Sequence, residues 1–174
     1  FSAGAYYAYL GGAAYVGREL FALSPDTLGF YIGVPTLGYI IGNGLSGRFS
    51  RSFGVDKMAF IGAIVTAFAM TLCLCLFLFT NPIPISFFGC VCIMGLGNRM
   101  VIPNANAGMM SVRPHLAGSA SGIGGTINTG GGAIIATVTA AVLTLGSGAL
   151  PLIFIMLGSC LMTILTIFYV NLYL

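Results

Sequence analysis

No Asp, Glu, Lys or Arg occurs between Lys57 and Arg99, and none occurs between Arg113 and the last residue, Leu174. Stretches of that length without a charge cannot coat a water-facing surface, because too little polar side chain is left to cover it. Only 5% of the 174 residues are charged and 58% are hydrophobic, whereas a soluble domain carries about a quarter of its residues as charged side chains. A lipid bilayer is therefore the expected solvent. In lipid every backbone N–H and C=O has to be satisfied internally, and apolar runs this long do so as helices. The fold class expected is an all-α membrane protein.

A hydrocarbon core of about 30 Å takes roughly 20 helical residues to cross. Six segments qualify, over residues 1–16, 27–45, 58–79, 85–110, 116–145 and 150–173. Turn-forming residues separate them: Ser24, Pro25 and Asp26; the run from Gly47 to Gly54; Asn81, Pro82, Ile83 and Pro84; Arg113, Pro114 and His115; and Gly146, Ser147 and Gly148 ahead of Pro151. Cytoplasmic loops of membrane proteins are enriched in Lys and Arg. Arg48, Arg51 and Lys57 share one connection, and Arg113 lies two spans later on the same side. The opposite connections carry Arg18 with Glu19 and Asp26. Both ends of the chain are thus expected to face the cytoplasm. The first segment opens at Phe1 with no initiator methionine and no signal-peptide pattern. The expectation is a chain that begins inside a helix of a longer protein.

Several function classes are disfavoured. A net charge of +3 with dispersed basic residues does not make a nucleic-acid surface. The five cysteines lie in apolar runs, and with His115 as the single histidine they form no zinc-binding spacing. They read as small packing residues. Gly118 to Gly122 is not a nucleophile elbow, because Ala120 takes the central place, and Gly122 with Gly124 lacks the third glycine of a dinucleotide fingerprint. No acid falls inside a span. We expect no enzyme, no catalytic residues, no metal and no cofactor.

The run from Tyr6 to Val16, followed by Leu23, Ser24 and Pro25 and by Gly29, Phe30 and Tyr31, resembles the seventh and eighth helices of the major facilitator superfamily, in its bicyclomycin and chloramphenicol/florfenicol resistance branch. Gly42 to Gly54, with Arg48 and Arg51 inside it, is similar to that superfamily's cytoplasmic loop signature. Gly95, Gly97 and Asn98, then Pro103 and Asn104, then Ala117 to Gly122, stand in the order expected of helices ten and eleven. Two positions depart from the pattern: Arg99 stands where a small or apolar residue is usual, and Ala14 where a proline is common.

The resemblance implies six transmembrane helices forming the C-terminal half of a twelve-span transporter, in which each half is a pair of inverted three-helix repeats. It implies export of drugs or other small amphipathic molecules across a bacterial inner membrane by proton antiport. The implied partners are the lipid bilayer, the N-terminal six-helix half that carries the proton-handling acids, a small-molecule drug and protons, without nucleic acid. Two rivals remain open: an uptake carrier for a small metabolite, and a non-transporting fragment or membrane subunit.

Several residues could do the work. Arg99 falls in mid-segment, where an arginine costs roughly 2.5 to 3.5 kcal/mol to insert. It either recognises a polar or anionic group in a cavity, pairs with an acid of the other half, snorkels to the headgroups or bonds to helix carbonyls. Arg99, Ile102 and Asn106 share one helical face, while Asn104 turns toward Gly97 and Gly108. Pro103 frees a carbonyl that Asn98 or a neighbouring helix can satisfy, and the bend serves as a gate hinge or as a plain kink. Gly4, Ala8 and Gly12 make a smooth stripe for a neighbouring helix, as do Gly38 and Gly42, which leaves Tyr6 and Tyr9 to line a cavity or to pack. The glycines of the fifth segment read as a packing surface, with Asn128 a candidate cavity hydrogen bond. Arg48 and Arg51, with Gly54 after them, either clamp helix ends on the cytoplasmic side or only set topology.

Overall fold

The computed structural model describes residues 1–112, 114–143 and 148–173, so Arg113, Gly146 and Ser147 lie outside the described residues. The described chain is helical, with no strand among the described residues. In order it forms α1 (Ser2–Tyr15), a π-helical extension (Val16–Leu20), α2 (Pro25–Gly33), α3 (Pro35–Phe53), α4 (Val55–Phe79), α5 (Pro84–Val112), a 3-10 turn (Pro114–Leu116), α6 (Ala117–Val142) and α7 (Leu150–Tyr173).

The ends of these helices follow from local chemistry. The Ser24 side chain caps α2 by accepting from the Thr27 N–H at 3.4 Å, and Pro25 takes the first helical position, where its missing N–H is harmless. Pro84 opens α5 in the same way. Pro35 opens α3 directly after α2 without unwinding the path, since Val34 between them keeps right-handed helical angles. One expected break is largely missing. The run from Gly47 to Gly54 was expected to be a connection, but α3 continues through it to Phe53, and only Gly54, with φ 85° and ψ 157°, breaks the helix. Arg, Ser and Phe are ordinary helix residues in a polar setting, so a fall in hydropathy marks the end of the apolar stretch and not the end of the helix.

The packing is inverted relative to a soluble bundle. On α4 the buried face is Met58, Ala59, Gly62, Ala63, Thr66, Ala67, Met70 and Cys73, whereas Ile61, Ile64, Phe68 and Leu72 point outward. Small residues let backbones approach, and large aliphatic ones suit lipid. The buried faces of α4 and α5 meet along their length, where Gly62 and Gly97 lie back to back: a Cβ on either would come within 2.6 Å of the other's carbonyl oxygen. Gly38 and Gly42 of α3 abut the Cys92 and Leu96 carbonyls of α5 in the same manner. Helix α5 is therefore held between α3 and α4, α7 packs on α4 and α1, and α6 packs chiefly on α1.

Among the described residues, three helices are both long and apolar enough to cross a membrane on their own: Val55–Phe79, Pro84–Ser111 and Leu150–Val170. Helix α1 has 14 residues, and at 1.5 Å per residue it falls short of a hydrocarbon core until its π extension is added. Helix α6 is long enough, but its glycines, threonines and Asn128 dilute its hydropathy.

Within this chain the expected packing role of the α6 glycines is met at Gly124 and Gly132 and not along the rest of the first half of the helix. Nothing lies within 4 Å of a Cβ built on Gly118, Gly122, Gly125, Gly130 or Gly131. Close contact with α1 begins at Gly132, which meets the Tyr7 ring, and continues where Ile135, Ala136 and Leu143 meet Gly4, Gly11 and Gly12 of α1. The smooth stripe is real on α1 and absent from the first half of α6, because α1 ends its contact with α6 there.

Candidate functional site

Two of the residues singled out in the sequence, Asn106 of α5 and Asn128 of α6, come together in one cavity of about 280 Å³. Phe1, Ser2 and Ala3 close it from α1, and Ile102, Ala105, Met109 and Met110 supply an apolar wall from α5. Ser121, Gly124 and Gly125 of α6 complete it. The cavity lies at the seam where α5 and α6 barely touch, because the open glycine face of α6 leaves room there. A wall shared between apolar side chains, two carboxamides and two hydroxyls suits a small molecule with both polar and apolar parts.

A second cluster adjoins it. The Arg99 guanidinium stands 4.3 Å from the centroid of the Tyr39 ring, a cation–π contact between α5 and α3. The Tyr6 ring of α1 lies 5.1 Å from the same Tyr39 ring, tilted by 54°. Arg99 Nε is buried without a hydrogen-bond partner. Asn98, 1% exposed, accepts a hydrogen bond from the Ser2 hydroxyl at its Oδ1, while its Nδ2 lies beside the Tyr39 side chain without a well-formed hydrogen bond. Asn98 therefore does not satisfy the carbonyl that Pro103 frees. Ser2 joins the two clusters, because it both lines the cavity and bonds Asn98.

The remaining expected site residues fall elsewhere. Tyr9 is 1% exposed and lies in the core, edge-on to Phe88 at 6.4 Å, with its hydroxyl donating to the Ile32 carbonyl at 3.2 Å. Of the two tyrosines expected at a cavity it is the one turned away, since it shares the buried face of α1 with Ala5, Ala8, Gly12 and Ala13. Pro103 is exposed on the outer side of α5, within an unbroken helix. Asn104 does meet a neighbouring helix: its Nδ2 donates to Ser46 Oγ of α3 at 2.8 Å and to the Met100 carbonyl at 2.7 Å.

Arg48, Arg51 and Gly54 sit together at the corner between α3 and α4. Both arginines are exposed, Arg51 lies in the last turn of α3 where the helix dipole favours a cation, and Arg48 stands 6.0 Å from the Phe49 ring centroid. Gly54 occupies a backbone region open to glycine almost alone. Its Cβ position is empty space, so Gly54→Ala should cost only the backbone strain, about 1 kcal/mol at the low end of that effect. Gly47→Ala, inside α3 and equally open, should instead stabilise by a few tenths to about 1 kcal/mol. Unfolding of both variants in mixed micelles, followed by far-UV circular dichroism, checks the opposite signs.

Tyr39, Ser2, Asn98 and Ser121 were not anticipated as site residues. For Tyr39 the signal was present: it stands between Gly38 and Gly42, the positions at which α3 closes on α5, and its ring packs over Gly95. No group of three or more His, Cys, Asp or Glu side chains positioned to hold a metal ion occurs among the described residues.

The profile of the family described as the Major Facilitator Superfamily matches residues 1–173. No curated protein and no solved structure matches the chain. A match over nearly every residue, together with apolar helices whose small residues face inward, identifies the chain as a member of the Major Facilitator Superfamily, a family of multi-pass membrane transporters.

Proposed function

We propose that this chain is the six-span C-terminal half of a secondary transporter that exports drugs or other small amphipathic molecules by proton antiport. In this reading α1 with its π extension, α2 joined to α3, and α4 to α7 are the six crossings. The observation that carries it is the convergence of Asn106 and Asn128 on one methionine-rimmed cavity at the α5–α6 seam. Methionine walls adapt to varied ligands, and carboxamides both donate and accept hydrogen bonds. The first half of α6, whose glycine positions touch no side chain apart from Met109, is the face against which the N-terminal six-helix half would rock in alternating access. The exposed Arg48, Arg51 and Lys57 at the α3–α4 corner support a cytoplasmic position for that corner and for both ends of the chain, in a bacterial inner membrane.

Cells expressing the intact gene should accumulate less of an amphenicol or a cationic dye than cells carrying an empty vector. The pair Asn106→Leu with Asn128→Leu should return accumulation to the control level while leaving the protein in the membrane. Accumulation unaffected by the intact gene would remove the export reading. The unpartnered Arg99 Nε favours a second reading, uptake of an anionic metabolite, and net entry of a labelled carboxylate in place of dye efflux would decide for it.

A further inference from the structure

Arg99 has no counter-charge in this chain at its own level. The chain holds three acids, Glu19, Asp26 and Asp56. They lie in the π extension of α1, the first turn of α2 and the first turn of α4. Asp26 stands 13 residues before Tyr39, about 20 Å of helix, and Asp56 lies beyond the far end of α3. The guanidinium is instead steadied by an aromatic face, with Nε left free. The adjacent Asn98, 1% exposed, has its Oδ1 held by Ser2, while its Nδ2 lies beside the Tyr39 side chain without a well-formed hydrogen bond. Buried donors without acceptors are uncommon in native structures and ask for an explanation. Here the two fall on consecutive residues, joined to the cavity through Ser2, and both can donate to the same acceptor, which the guanidinium charge favours as an anion.

We propose that the junction of α1, α3 and α5 is a carboxylate-binding site, in which Arg99 and Asn98 hold the carboxylate of a small amphipathic acid. Its apolar body extends toward Ile102, Ala105 and Met109 of the adjoining cavity. The planar guanidinium fork matches a carboxylate, and its stacking on Tyr39 leaves the edge free to donate. Asn106 lies two turns along α5 from Arg99, about 10 Å, which sets the length of the molecule that can reach both. A cavity of about 280 Å³ is at the small end of ligand sites, so a one-ring acid fits better than a drug-sized one. The use of the site for transport rests on the export reading, but its chemistry does not.

The test is equilibrium binding of radiolabelled benzoate and of its neutral isostere benzamide to the purified chain in detergent, and to the intact gene product in native membranes. Benzoate should bind about tenfold more tightly, the factor that one charge-assisted pairing contributes. Arg99→Gln should abolish that preference, Arg99→Lys should keep part of it as a point charge without the fork, and Asn98→Ala should reduce it, with helicity checked in each. Equal binding of the two probes by the wild type overturns the proposal without recourse to any variant, as does a preference that survives Arg99→Gln. A preference seen in the isolated chain but lost in native membranes means that an acidic side chain already occupies Arg99, which overturns the assignment to a free acid. None of these outcomes depends on drug efflux, so failure of the accumulation assay and failure of the binding assay are distinguishable.

Discussion

Replacing Gly97 with alanine should destabilise the chain by about 3 kcal/mol, the upper part of the range for forcing a methyl group into a filled interior. A Cβ at this position would lie 2.6 Å from the Gly62 carbonyl oxygen, 2.8 Å from the Thr66 methyl group and 2.9 Å from the Thr66 backbone nitrogen. Two of those three atoms belong to the backbone, so no rotamer change can relieve the clash. Helix α4 has to move away from α5, and every contact along their shared face loosens with it. The intrinsic helix propensity of alanine works in the opposite direction by about 1 kcal/mol, which is too small to reverse the sign. Gly131→Ala supplies the control, because nothing lies within 4 Å of its Cβ and the propensity gain is all that remains. Reversible unfolding in mixed micelles should place the two variants on opposite sides of the wild type. A Gly97→Ala protein as stable as the parent would mean that α4 and α5 do not approach this closely.

The second large effect is expected at Asn104. Its side chain is 4% exposed and bonds Ser46, itself 5% exposed, across the α3–α5 interface. Asn104→Leu should cost about 2 kcal/mol, because the Ser46 hydroxyl is left buried with a poorer partner. Interhelical hydrogen bonds in membranes average about 0.6 kcal/mol in double-mutant cycles, with a maximum near 1.7. The coupling between Ser46→Ala and Asn104→Leu should therefore be smaller than the loss in the single variant, and it should still be measurable. The combined variant should be less damaged than the sum of the two. Strict additivity of the two losses would show that the bond contributes nothing to holding α3 on α5.

The lipid environment and the helical class were legible in the charge-free runs, since continuous apolar runs of about 20 residues cross a bilayer as helices, whereas barrel strands are shorter and alternate. The breaks near Pro25 and Pro84 were legible in the turn residues there, but both prolines were read as connection and in fact open their helices. Which side of each helix faces inward was much harder to read. A soluble helix announces its buried side by an apolar stripe, but α1 carries small and aromatic residues all round, so Tyr6 and Tyr9 look alike in the sequence. What separates them is the company they keep: Tyr9 shares a face with alanines and Gly12 and is buried, whereas Tyr6 stays half-exposed against Tyr39. Asn106 and Asn128 were legible one at a time, as carboxamides in apolar helices. Their meeting was not legible, because it depends on how far α6 stands off from α5. Tyr39 was overlooked for the related reason that its partner Arg99 lies 60 residues later in the chain.

Helix α6 is tethered unevenly. From Gly132 onward it shares side-chain contacts with Tyr7, Gly4, Gly11 and Gly12 of α1, whereas across Gly118 to Gly131 the glycine positions meet only the tip of Met109. Its backbone hydrogen bonds therefore belong to two populations. Those at the far end open only when the bundle itself comes apart, and those at the near end have no packed neighbour helix in this chain to hold them closed. Within a single unbroken helix, proton exchange with solvent would fall off along the chain, and the fastest amides would be the ones that border the Asn128 cavity.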